Sequence, residues 1–413
     1  MLDFFKFLIF FPNQGIIFLK DKNLTKNYFN ILKILFLKKQ NKYDKIIILR
    51  DFIYKSFSIL YLIPALILYL LNYKFVASDP KSIGTYSEEL EYILSKNTYN
   101  KLILLEPKSY CANKYFANFF YKNKFIIFRS NIISALFIPF TYINFLSISP
   151  YSNIKNLIFQ RQYYYKNNDK KFNFDHELLF SGRLLAKKKN IQLNLLDSKK
   201  DNIKKKCYLH LRDEQNIPLR NSKITNYLEA INLLIKNNFE IYYFAYKDPG
   251  INIKEFKFFN LKLEENKKYQ ITLTPEIDLY LGQISGPFHL FHSLETDMIL
   301  TDNVIFNHLI SNTNVISLFK KYIKNNKILN IKEIFKMNLE CIWDSRILIN
   351  KNIIAEDNSP DEILNACSEY LEKNFETNKI DLTKDKIILF YGKNDGLKNE
   401  TIENLVGNEY NKT

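Results

Sequence analysis

Cysteine is sparse and never paired: Cys111, Cys207, Cys341 and Cys367 stand alone. With no C-x-x-C and no metal-ligand spacing, a zinc ribbon or disulfide framework is excluded. Such sparseness suits a reducing compartment and reads as small buried hydrophobes. The chain also lacks a Walker A loop, a G-x-G-x-x-G fingerprint, a nucleophile elbow and an H-E-x-x-H helix, which excludes the best-marked nucleotide, hydrolase and metalloprotease sites. No D-x-D pair is present to hold a metal-bound nucleotide sugar, so a transferase here would work without metal or other cofactor. Zinc-finger spacing, RNA-binding signatures and arginine-rich tracts are missing too, so the formal charge of +16 does not indicate nucleic acid. Residues 1–80 alone hold 12 Lys/Arg against 5 Asp, and anionic lipid or an anionic small substrate is the better partner for that charge.

Glycine and proline number only 9 and 11, whereas 28 Tyr and 35 Phe contribute to an apolar fraction of 47%, enough to bury sizeable cores. At 413 residues the chain predicts two domains rather than one. Lys, Asn, Ile and Phe crowd the sequence as A/T-rich codon usage would make them, so single lysines and asparagines carry little information.

No apolar run is long enough to span a bilayer. The strongest, Phe57–Leu71, has 15 residues with Pro64 inside it, against roughly 20 for a spanning helix. The opening "MLDFFKFLIFFPNQG" is interrupted by Lys6 and has no small-residue cleavage site. In Leu24–Lys39, Tyr28, Ile31, Leu32, Leu35 and Phe36 fall at helical spacing between lysines, as in an interfacial helix. These features predict a membrane-associating arm over 1–76 and a protein peripheral to the cytoplasmic face; a soluble hydrophobic arm is the alternative.

From Phe75 onward, short β-rich runs alternate with helical segments. "KFVAS", "KLILLEP" and "FIIFRS" read as strands, and "TYSEELEYILSK" and "SYCANKYFANFFYKN" as helices. A polar connection follows at 151–203, with a helix around His176–Lys187. "CYLHL", "FEIYYFA", "LYLGQIS", "DMILTD" and "NVISLF" read as strands of a second half, with "NSKITNYLEAINLLIKNN" as an amphipathic helix. "SPDEILNACSEYLEKNFE" has a well-formed helix start, with Ser359 as N-cap, Pro360 first and Glu362 at N3. The predicted class is therefore α/β: two Rossmann-like halves, 77–150 and 204–378, in a GT-B-like arrangement, then a tail over 379–413. A periplasmic-binding-like fold fits the pattern equally well.

Ligands of open α/β sheets bind beyond the carboxyl ends of strands. "CYLHLRD" delivers His210, Arg212 and Asp213 to such an end. Arg212 suits a diphosphate, because a guanidinium fork matches it as an ammonium cannot. A strand-end ion pair with a core histidine is the plainer reading. Arg220 and Asn221 precede the next helix, where Asn221 or Ser222 is a natural N-cap and Arg220 can reach an anion. In "LGQISGPFHLFH", Ser285 and Gly286 lie between a strand and a helix, a turn that lets phosphate approach the backbone. His289 and His292 lie three apart but lack an acidic partner, which favours packing over metal. Asp302 and Asn303 close another strand, suited either to a sugar or ribose hydroxyl or to an Asx turn.

The order "LHLRD", "RN", "YLGQISGP", "TDN", "EDNSPDEI" resembles a family of bacterial glycosyltransferases from surface-polysaccharide gene clusters. "SIGTYSEELEYIL" stands where that family has Ile-Gly-His-Leu, and "ANKYF" matches its Ala-Asn-Lys segment. The resemblance covers about 80–370 in scattered motifs. It implies a GT-B-like fold and transfer of sugar from a nucleotide donor to a surface glycan such as capsule or O-antigen. Carried over by position, the residues are Gly84, Asn113 and Lys114 with Thr85 on the acceptor side, and His210, Arg212, Asp213, Arg220, Asn221, Tyr227, Ser285, Gly286 and Asn303 on the donor side. The strand-end H-x-R is also similar to that of fucosyltransferases, where a comparable Arg serves the donor diphosphate. Thr85 replaces the family's His, and Phe244-Ala245-Tyr246 replaces its Arg-Met-Gly. The implied catalytic set is His210, Arg212 and Asp213, with Asp213 or His210 as base. Two other functions fit a similar crevice: a nucleotide-sugar epimerase, and a non-catalytic glycan-binding or scaffold protein, which the two departures favour.

Overall fold

The computed structural model describes residues 57–78, 80, 83–96, 101–108, 111–137, 140–141, 146–148, 204–213, 218–294, 296–304, 315–337, 339, 342 and 345–372. The helix expected over Leu24–Lys39, the arm before Phe57, the whole polar connection at 151–203, Cys341 and the tail lie outside the described residues. The chain divides into two compact units, Met1–Asn194 and Leu195–Thr413.

In the first unit a 3-10 turn, Phe57–Tyr61, leads into α1 (Leu62–Leu70), then β1 (Tyr73–Ala77), α2 (Ile83–Lys96), β2 (Lys101–Glu106), α3 (Phe116–Phe120), β3 (Phe125–Arg129) and α4 (Asn131–Phe137). The three strands are parallel in the order β1-β2-β3. As the central strand, β2 is buried from Leu102 through Glu106, which is why "LILL" shows no alternation. A single parallel bridge from Phe75 to Ser147 flanks β1. Phe75, Ile103, Leu105, Phe140 and Leu146 pack with Ala65 of α1 on one side.

The helix expected over "SYCANKYFANFFYKN" is only five residues long. Upstream, the Asn113 side chain accepts the Tyr115 N–H at 3.0 Å, an Asx turn that competes with helical hydrogen bonding.

The second unit runs β4 (Lys205–His210), α5 (Leu228–Lys236), β5 (Phe239–Ala245), β6 (Phe256–Asn260), α6 (Glu264–Leu273), β7 (Leu279–Gly282), α7 (Phe288–Ser293), β8 (Asp297–Asn303) and β9 (Val315–Phe319). These six strands are all parallel, in the order β6-β5-β4-β7-β8-β9. The chain grows outward from β4 to β6, then returns to the far side of β4 and grows the other way. This is the doubly wound order, with its reversal between β4 and β7. Strand alternation sorts the core. Cys207, Leu209, Leu279 and Leu281 pack against α5 and the last helix, while Tyr208, Tyr280 and Phe244 pack against α6 and α7.

Beyond β9, a small antiparallel sheet was not anticipated from the sequence: β10 (Lys321–Lys324), β11 (Lys327–Ile328) and, after α8 (Ile331–Lys336) and α9 (Ser345–Asn350), β12 (Ile353–Glu356). Its hairpin turns on Asn325 and Asn326, both at positive φ (50° and 59°), as a tight two-residue loop requires. The last helix, α10 (Pro360–Glu372), has the predicted capping box. Glu362 N–H donates to Ser359 Oγ at 3.2 Å, and Ser359 N–H to Glu362 Oε2 at 2.8 Å.

Candidate functional site

The reversal point is closed by a tight backbone contact. His210 and Gly282 are register partners, and Gly282 has φ +142°. A Cβ there would lie 2.0 Å from the His210 carbonyl oxygen. Only glycine permits this approach. It sets Gln283 directly beside the segment that leaves β4. The Gln283 N–H donates to the His210 carbonyl at 3.2 Å, and its side-chain oxygen accepts the Arg212 N–H at 2.6 Å. The same amide donates to the Arg220 carbonyl at 2.8 Å and to Ser222 Oγ. Arg220, which is buried, donates through Nη2 to the Ile284 carbonyl. Ser285 Oγ meets His210 Nε2, and the Tyr280 hydroxyl donates to the Gln283 carbonyl at 2.6 Å.

A second layer is centred on Asp302 in β8, a residue at φ +51° beside a register shift. Its Oδ1 accepts the Asn358 N–H at 2.7 Å, and its own N–H donates to Asn358 Oδ1 at 2.6 Å. Oδ2 accepts the Ser222 hydroxyl and, at 3.3 Å, that of Tyr227. Lys320, also buried, donates to the Asn221 carbonyl at 3.1 Å and pairs with Asp357. Burial raises the Asp302 pKa above the ordinary value, against the opposing pull of Lys320, Ser222 and Asn358.

His210 sits among cations. Burial, then Arg212 and Arg220, lower its pKa to about 3, so the ring is neutral at physiological pH. Its Nδ1 is sealed from water without a partner, as is the side-chain nitrogen of Asn303. Arg212 is half-buried and Asp213 exposed at the same strand end. The site can therefore offer positive charge, an uncharged imidazole paired to a hydroxyl, and two unused buried polar atoms.

Of the sequence-predicted residues, His210, Arg212, Arg220 and Ser285 converge around Gln283, while Tyr227 and Asn221 join through Asp302 and Lys320. Gly286 is half-buried in the turn before α7, its carbonyl accepting the His289 N–H at 3.3 Å. Neither Asn221 nor Ser222 caps the following helix. That helix opens as a 3-10 turn at Ile224, and its N-cap residue, Lys223, makes no side-chain cap bond. Ser222 is drawn away by Gln283 and Asp302. His289 and His292 are buried, with His292 stacked on Phe288 at 5.6 Å. In the first unit, Gly84 and Asn113 are buried and Lys114 lies over the Tyr115 ring at 5.1 Å; the Thr85 side chain lies outside the described set.

Sequence reasoning missed Gly282, Gln283, Ser222, Lys320 and Asn358 as parts of one network. The signal available was a glycine inside an apolar strand followed at once by a polar residue. Among the described residues, no three His, Cys, Asp or Glu side chains gather as a metal site would need, and no helix is long and apolar enough to cross a membrane.

No family model matches the chain, and no curated protein does. A solved structure of a family 9 glycosyl transferase from Veillonella parvula is similar over 73% of this chain and 97% of its own, with 10% identity and a TM-score of 0.41.

Proposed function

We propose that the chain is a glycosyltransferase that takes its nucleotide-sugar donor at the β4/β7 reversal point and extends a surface glycan. The observation that carries the reading is the doubly wound sheet, whose reversal point coincides with His210, Arg212 and Ser285. That is where such sheets take nucleotides. The motif order resembling surface-polysaccharide transferases agrees with this reading.

In this mechanism Arg212 binds the donor diphosphate and stabilises it as it departs, without metal. Its backbone is fixed by Gln283, so the guanidinium is launched from a rigid point. His210 has lost too much basicity to take a proton near neutral pH, so its role is hydrogen bonding through Ser285. Asp213, exposed at the strand end, is the better base for an acceptor hydroxyl. Gly84, Thr85, Asn113 and Lys114 are assigned to a glycan or lipid-linked acceptor.

Association with an anionic membrane surface belongs to the same proposal. Leu60, Ile63 and Leu70 are 68%, 69% and 80% exposed, and no acidic residue lies between Asp51 and Asp79. Such an apolar, carboxylate-free surface suits an anionic bilayer. Vesicle flotation should show binding that needs anionic lipid and weakens in Ile63→Glu.

The deciding experiment is a thermal-shift titration against a panel of nucleoside diphosphates. One of them, at a hundred times its Kd, should stabilise the protein by about 2.7 kcal/mol, and Arg212→Ala should abolish the shift. A folded protein that responds to none of them refutes the transferase reading and favours a scaffold. Conversion of a nucleotide sugar without acceptor would instead indicate an epimerase.

A further inference from the structure

The first unit carries a charged cluster that the donor-site reading does not use. Glu106 ends β2, Arg129 ends β3, and the two are register partners. Glu106 is fully buried, with 0% exposure. Its Oε1 accepts the Tyr86 hydroxyl at 2.9 Å and the Cys111 thiol at 3.4 Å, and its Oε2 accepts Arg129 Nε. Burial and the Glu106 charge push the Tyr86 pKa up and that of Cys111 to about 12, so both remain neutral donors. The carboxylate is thus served by three donors.

The guanidinium is not matched in the same way. An Arg–carboxylate pair is frequently two-pronged, yet here Arg129 is held through Nε alone. Its Nη2 is buried and has no partner. Leaving a buried charged donor unpaired is unfavourable, and such a group needs an explanation. Two more buried polar atoms without partners occur on the helices that follow β1 and β3: Ser87 Oγ in α2 and Ser134 Oγ in α4. β1, β2 and β3 are parallel, so Glu106 and Arg129 lie on the carboxyl edge of the sheet, where ligands bind. Cys111 ties the following loop to Glu106, and the Ala112 N–H donates to the Pro80 carbonyl at 2.8 Å, joining it to the loop after β1.

From this arrangement we infer that Arg129, clamped by Glu106, anchors a second ligand site in the first unit that takes an oxyanion, a phosphoryl or a carboxylate group, on its Nη2 side. Glu106 orients the guanidinium, and the ligand's oxygen completes the pairing that the protein leaves open. The inference is independent of the donor-site reading.

The test is calorimetric titration of the full chain with inorganic pyrophosphate and, separately, with citrate, in wild type, Arg129→Lys and Arg212→Ala. Lysine keeps the charge opposite Glu106 but lacks the planar fork needed to serve two partners. Arg212→Ala should retain an anion site, and Arg129→Lys should weaken that site at least tenfold. Response to pyrophosphate alone identifies a phosphoryl ligand, and response to citrate as well identifies a general carboxylate and phosphoryl site. If Arg129→Lys does not fold, wild-type protein is treated with phenylglyoxal. Pyrophosphate or citrate should then protect the peptide containing Arg129. Anion binding unchanged in folded Arg129→Lys, or no protection in wild type, overturns the inference. Either result leaves the Arg212-dependent nucleotide shift to be judged separately.

Discussion

Gly282→Ala is the sharpest perturbation of the candidate site, because it adds one methyl group where the backbone has no room. The new Cβ would lie 2.0 Å from the His210 carbonyl oxygen and 2.9 Å from its carbon. Both atoms are main chain, so no rotamer change relieves the clash, and β4 and β7 must part at their last paired residues. Overpacking of this kind costs about 1–3 kcal/mol. Holding alanine at φ +142°, a region essentially reserved for glycine, adds about 1–3 kcal/mol. The expected loss is therefore about 2–6 kcal/mol. With a urea m-value of about 2 kcal/mol/M, the unfolding midpoint should fall by about 1–3 M. Gly250→Ala is the matched control. Gly250 also has positive φ, +73°, but nothing lies within 4 Å of a Cβ there, so only the left-handed backbone term of about 1–2 kcal/mol applies. Urea denaturation of the three proteins, followed by circular dichroism, makes the comparison. If Gly282→Ala were no less stable than Gly250→Ala, the close approach of β4 and β7 would be wrong.

Three further outcomes follow from the same network and from the last helix. Because the folded His210 pKa is depressed to about 3, the unfolded chain takes up a proton that the folded chain refuses. Stability should therefore fall below the ordinary histidine pKa of about 6.5, by about 1.4 kcal/mol per pH unit, until about pH 3. His210→Gln should remove that slope, and superimposable acid limbs for the two proteins would contradict it. Asp302→Ala leaves the Asn358 N–H and the Ser222 hydroxyl without their buried acceptor, so it should destabilise by about 2–4 kcal/mol in urea unfolding. Ser359→Ala removes the capping-box oxygen of α10 and should cost about 0.5–2 kcal/mol without altering nucleotide or anion binding.

The sequence by itself determined the α/β class, most strand positions and the helix start at Ser359, because each rests on local pattern: buried parallel strands read as apolar runs, and a capping box needs only neighbours. It also marked the end of β4, since His210, Arg212 and Asp213 together are unusual after an apolar strand. What it could not supply was the strand order, and with it the fact that β4 and β7 are the pair at the reversal point. Gly282 and Gln283 acquire their meaning only from that pairing. The discounted asparagines are a second case. Asn72 and Asn238 take positive φ just after α1 and α5, and Asn325 and Asn326 turn a hairpin. In a glycine-poor chain, asparagine fills left-handed positions because its short polar side chain tolerates them. Ser222 shows the opposite failure: its local signal was a helix cap, but Gln283 and Asp302, 61 and 80 residues away, claimed its hydroxyl. The same holds for Glu106 and Arg129, 23 residues apart in sequence and adjacent only because β2 and β3 pair. Local propensity sets where elements begin and end; which buried polar groups meet is decided by the sheet that brings distant strand ends together.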